Sequence, residues 1–192
     1  TRRIAENGRE TRTDAGDKFV VFPSRVFLAP GQSQAIRVQW RGPADVRREK
    51  SYRIIAEQVP VSDSGETAAD GGGSIALNII YRYVGSVYVT PANPRSNIVL
   101  TGVAPAAGRE NAVALRFENQ GTGHAIVQNA RVTLRSTPGD PSADTHEVTS
   151  EDLDVIGAAN FTAGTALVEV VDLPPDMDPD GIDVDFELET VR

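Results

Sequence analysis

Apolar and polar positions alternate with period two along most of this chain, and turn residues interrupt the alternation at short spacing. Asn7-Gly8, Pro30-Gly31, Gly42-Pro43, Gly71-Gly72-Gly73, Pro138-Gly139 and Asp180-Gly181 mark the turns. No long segment has the 3.6-residue period of an amphipathic helix, so the pattern predicts an all-β, sandwich-like protein. Helical turns are conceivable only at residues 45–50 and 150–155. Strands are expected at 18–22, 24–28, 34–40 and 51–59. The second and third of these should form a hairpin around Pro30-Gly31, with Ile36, Val38 and Trp40 on one face and Arg37, Gln39 and Arg41 on the other. Further along, strands are expected at 98–100, 112–118, 125–127, 130–135, 166–171 and 182–188.

The most unusual segment runs from Ser74 to Thr90. It contains no proline, one glycine and a dense set of β-forming residues. Ile75, Leu77, Ile79, Tyr81, Tyr83, Val87 and Val89 share one face, and Ala76, Asn78, Ile80, Arg82, Val84, Ser86 and Tyr88 the other. At the usual rise such a strand would span roughly 55 Å, against a common strand length of about 5 or 6 residues. A polar, glycine-rich stretch at 61–73 precedes it and reads as a mobile loop. A long apolar strand with an open edge is an aggregation hazard unless something pairs with it, and strand addition to a partner is a frequent use. Pro91-Ala92-Asn93-Pro94 is the best linker candidate, which divides the chain into expected domains at 1–92 and 93–192.

Charge supports a division. Residues 1–93 carry 13 Lys/Arg against 10 Asp/Glu, whereas residues 94–192 carry 6 against 17. The strongly acidic second half argues against nucleic-acid binding. No apolar run is long enough for a membrane span, and the absence of cysteine excludes thiol catalysis and thiolate metal sites.

Catalytic signals are lacking. His124 and His146 are isolated from each other, and no carboxylate pair has a catalytic spacing. Gly31-Gln32-Ser33-Gln34-Ala35 lacks the second glycine of a nucleophile elbow, and Gly121-Thr122-Gly123 lacks the setting of a dinucleotide loop. No enzyme activity and no cofactor are expected. One metal motif is formally complete: Asp176, Asp178 and Asp180, then Gly181 and Glu187, satisfy a calcium-loop pattern. Ile182, Val184, Phe186 and Leu188 alternate so strictly, however, that the segment reads as a strand with Asp183, Asp185 and Glu187 facing water.

The order of the motifs resembles a periplasmic pilus-assembly chaperone of the PapD type, in its archaic chaperone–usher branch. Residues 19–38 (FVVFPSRVFLAPGQSQAIRV) resemble the family's run of apolar residues, Pro, Pro-Gly and a strand ending in Arg-Val. Residues 49–54 (EKSYRI) resemble the next signature, and Ile75 to Pro91 the first domain's final strand. In the second half, residues 115–125 (LRFENQGTGHA) and Ala163-Gly164 with Val168 resemble two later motifs.

The resemblance implies two immunoglobulin-like sandwiches set at an angle. It also implies a chaperone that stabilises incomplete pilin or fimbrial subunits by donor-strand complementation and delivers them for assembly, in some systems through an outer-membrane usher. Ile75, Leu77, Ile79 and Tyr81, with Arg82 and Tyr83 beside them, become the partner-binding residues. Self-association through the exposed strand is a further expectation. Two features depart from the family. The family's opening strands, with a basic residue that grips the subunit's terminal carboxylate, should precede Thr1, so the chain is expected to be N-terminally incomplete. The family's second anchor, a lysine, falls on Ser86, with Arg82 as a substitute. The alternative to a chaperone is a structural or adhesive immunoglobulin-like module of a cell surface, calcium-linked through Asp176, Asp178 and Asp180.

Overall fold

The computed structural model describes residues 1–59, 80–137, 139–140 and 142–192. Thirteen strands occur among them, and the single helical element is a 3₁₀ turn at Gly16–Lys18. The segments at 45–50 and 150–155 are bends, turns or extended chain rather than helix. The protein is all-β, with immunoglobulin-like sandwich architecture. Among the described residues, every strand pairing joins elements within residues 2–89 or within residues 98–191.

The second half carries the core. Strands β7 (Ile98–Pro105), β8 (Ala112–Asn119) and β12 (Ala166–Asp172) form one sheet with β8 in the middle. In the other sheet β9 (Ala125–Arg135) is central. It pairs along one edge with β13 (Asp183–Val191) and along the other with β10 (Thr145–Thr149) and β11 (Asn160–Phe161). Alternation decides which side chains face inward. Val113, Leu115 and Phe117 of β8 meet Val132 and Leu134 of β9, and all five are fully buried. Phe117 packs edge-to-face on Phe186 of β13 at a centroid distance of 5.2 Å, a geometry that aromatic quadrupoles favour.

Strand β9 replaces the two short strands expected at 125–127 and 130–135. Its register with β13 slips between Glu189 and Thr190, leaving Gln128 unmatched. The extra residue reverses the parity of alternation, so Val127 and Ala130 both point inward. A strict period-two reading therefore breaks the strand at the bulge.

The first half is built of ribbons. Strands β1 (Arg2–Ile4) and β2 (Glu10–Arg12) form a hairpin whose turn needs Gly8 at φ +75°. Strand β3 (Phe19–Phe22) pairs with β4 (Arg37–Trp40), and β5 (Lys50–Glu57) with β6 (Arg82–Val89). The expected hairpin of 24–28 with 34–40 is corrected. Residues 24–28 form no strand, and β4 returns to β3 with Phe22 opposite Arg37. Ser24 to Ile36 is thus connection, in which Phe27 is 85% exposed.

What this half buries is narrow. Tyr52 of β5, 3% exposed, lies between Phe19 and Trp40 at 4.8 and 5.8 Å. Val20, Val21, Phe22, Val38, Ile55 and Val84 all remain at least one-third exposed.

Candidate partner-binding strand and the junction behind it

Strand β6 is held in register by β5, Lys50 opposite Val89 through to Glu57 opposite Arg82. The pairing continues one residue earlier, where Gln58 N donates to the Tyr81 carbonyl at 2.9 Å. Tyr81 and Tyr83, two residues apart, share a face and stack at 6.2 Å with 54% and 68% of their surfaces exposed. Two large stacked aromatic rings in water form a ready apolar contact surface. Arg82 projects to the other face and pairs with Glu57 at 2.8 Å, both side chains more than half exposed. Ile75, Leu77 and Ile79, the other residues expected to enter a partner, lie outside the described residues, as does the loop at 61–73.

Two arginines lie near Ser86 on this ladder. Arg82 lies four residues away and is engaged by Glu57. Arg53 stands directly opposite Ser86 across the β5–β6 ladder and donates to its hydroxyl. Arg53 belongs to a cluster centred on Glu10 of β2. The Glu10 carboxylate accepts from Arg2 Nε at 2.6 Å, Arg12 Nε at 2.5 Å and Arg53 Nη2 at 2.5 Å. With Arg53 as the largest influence, these guanidiniums hold the Glu10 carboxyl down at about 2. Nothing in the local sequence pairs these residues, because strand topology brings Glu10 and Arg53 together across 43 positions.

Behind the strand, β5 and β6 meet the second half. Glu49, just before β5, is 1% exposed at its side chain and His124 is 10% exposed. His124 Nδ1 lies 2.8 and 2.9 Å from the two Glu49 oxygens, and the His124 backbone N donates to Oε1 at 3.1 Å. Glu49 N donates to the Thr122 carbonyl at 2.9 Å. The Tyr88 ring stacks on the imidazole at 3.9 Å, and its hydroxyl accepts from Asn160 Nδ2 at 2.6 Å. Both Glu49 and His124 lie within motifs that carry the family resemblance, but their contact is a tertiary fact. Enclosed on all sides, the pair joins the two halves of the chain rather than facing a substrate.

The calcium pattern does not assemble. Glu187 lies on β13, exposed, facing Arg131 across the ladder, while Asp178 turns back to accept from Asp180 N at 2.9 Å. Among the described residues no three acidic or histidine side chains are placed to share a metal ion.

The fold is that of an all-β, immunoglobulin-like sandwich protein that presents a two-stranded ladder with an exposed aromatic face. Residues 2–94 match the N-terminal domain of PapD, the pili and flagellar-assembly chaperone. That match takes in just under half of the chain, and this part is similar to the PapD-like pilus-assembly chaperones. A solved chaperone–tip adhesin complex of CFA/I fimbriae biogenesis has the same fold at 13% sequence identity. The match has a TM-score of 0.51 and covers 97% of this chain and 81% of that one. No curated protein matches the sequence significantly.

Proposed function

We propose that this protein is a periplasmic chaperone that binds incomplete pilus or fimbrial subunits through the strand ending at β6 and delivers them for assembly. The observation that carries the reading is the exposed, stacked Tyr81–Tyr83 face on a strand held in register by β5, within a PapD-type N-terminal domain. Strand addition needs an extended backbone with alternate side chains aimed at the partner. The alternation of Ile75, Leu77, Ile79, Tyr81 and Tyr83 supplies that sequence. Each such side chain buried in a partner would contribute about 1.5–3 kcal/mol, offset in part by the cost of association.

The domain division at 92/93 belongs to this proposal, with Glu49, Tyr88, His124 and Asn160 holding the two units together. So do delivery to an outer-membrane usher and self-association of the free strand when no subunit is present. The reaction is binding, without a cofactor. The structural neighbour's tip-adhesin partner supports fimbrial subunits as the guests.

The test is capture of a pilus subunit that lacks one strand of its own sandwich. Leu77→Asp with Ile79→Asp should abolish co-purification, and Tyr81→Asp with Tyr83→Asp should weaken it at least tenfold. Capture at wild-type level by both double variants would remove the strand as the binding element.

A further inference from the structure

The ladder of β3 and β4 has two unlike faces. Phe19 and Trp40 stand opposite each other and both pack on Tyr52, so Val21 and Val38, two positions along, turn to that same inner side. Val20 and Phe22 therefore turn outward, beside Gln39 and Arg37 of β4. Arg41, whose backbone N donates to the Lys18 carbonyl at 2.8 Å, extends the row. Phe22 is 71% exposed on this outer face, on the side away from the aromatic cluster. The connection that follows carries Arg25 and Phe27, and Phe27 is 85% exposed.

Charge singles this surface out. Residues 18–44 contain four Lys/Arg and no Asp/Glu, in a chain whose net charge is −8. Among the described residues, Arg25, Arg37 and Arg41 are exposed and form no ion pair, whereas Arg2, Arg12 and Arg53 are tied to Glu10. Apolar tips as prominent as Phe22 and Phe27 suit a soft layer that closes around them better than a rigid protein surface that must match their shape. Guanidiniums beside such tips are drawn to anionic headgroups.

We propose that the outer face of the β3–β4 ladder, with the connection between its strands, is a peripheral docking surface for an anionic lipid bilayer. Phe22 and Phe27 enter the boundary between headgroups and acyl chains, and Arg25, Arg37 and Arg41 lie against the headgroups. The chain rests on the bilayer and does not cross it. Residues 94–192, with 17 Asp/Glu against 6 Lys/Arg, are repelled by the same lipid charge, which favours one orientation on the surface.

The experiment is co-sedimentation of the full chain with vesicles of phosphatidylcholine, either alone or with about 30 mol % phosphatidylglycerol. Binding to the anionic vesicles should be at least about tenfold stronger, and about 0.5 M salt should release it. Phe27→Ser should weaken it about fivefold, and Arg25→Gln with Arg37→Gln about tenfold. All three side chains are exposed, so these variants keep the fold, which unchanged Trp40 fluorescence checks. A Phe27→Trp variant should be quenched by brominated acyl chains, which contact by charge alone would not produce. No binding to anionic vesicles, equal binding to both kinds, absence of that quenching, or affinities untouched by the substitutions would each overturn the proposal. Binding to polyglutamate but not to vesicles would overturn it in favour of an acidic protein partner. Subunit capture is read on the β5–β6 ladder, so either result can hold while the other fails.

Discussion

Glu49→Ala is the sharpest perturbation of the joint between the two halves. It removes the acceptor for the His124 backbone N at 3.1 Å and for Nδ1 at 2.8 Å, at a place where the carboxylate is 1% exposed. Water cannot fully replace it, so two donors are stranded, each at about 1–3 kcal/mol. The expected loss is about 2–5 kcal/mol, in line with breaking a buried polar pair. His124→Ala deletes the same contact and the stack on Tyr88. Because each single variant already breaks the pair, the double variant should cost less than the sum by about 1–3 kcal/mol. The chain has one tryptophan, Trp40, in the first half. Urea unfolding followed by its fluorescence therefore reports the half that holds Glu49, and far-UV circular dichroism reports both. Small-angle scattering should show a broader distribution of shapes in either variant. Single costs that add within about 0.5 kcal/mol, with unchanged scattering, would refute the idea that this contact couples the halves.

Acid should weaken the first half through Glu10. Its folded carboxyl titrates at about 2 against an ordinary 4.5, so the stabilisation is complete above pH 4.5 and is lost as pH falls toward 2. Allowing for its partial exposure, the effect is about 1–2 kcal/mol, and Glu10→Gln should flatten the dependence of the melting temperature on pH between 5 and 3. Phe117→Ala opens a cavity in the fully buried centre of the second half and should cost about 3–5 kcal/mol by circular dichroism, with little change in Trp40 fluorescence at low denaturant. Gly121→Ala would place a Cβ 2.2 Å from the Arg95 carbonyl and 2.7 Å from Asn97 N; as neither is a movable side chain, a loss of about 1–3 kcal/mol is expected. Millimolar Ca²⁺ and EGTA should leave the melting curve unchanged, since Glu187 stands on a strand apart from Asp178.

Much of the fold was legible because a strand with one buried face writes its period into the sequence. Strands β8, β12 and β13 fall where alternation puts them, and the motif order leads to the family whose N-terminal domain matches residues 2–94. The reading failed where pairing, not periodicity, makes the decision. Residues 24–28 alternate well enough to suggest a strand, yet β4 pairs with β3. The bulge at Gln128 hid a continuous β9 by reversing its parity. The short strands β1, β2 and β11 hold too few residues to show any period.

The candidate site divides in the same way. By itself the sequence determined the all-β class and the apolar face that includes Tyr81 and Tyr83, because alternation along single strands records both; the expectation of a positive charge at Ser86 came only from the family resemblance. Only the tertiary structure decided that Arg53 rather than Arg82 stands beside Ser86, that Glu10 gathers three arginines, and that Glu49 reaches His124 across 75 positions. Those contacts join segments far apart in the chain, and they arise from how strands and loops are brought together, which no local pattern of side chains records.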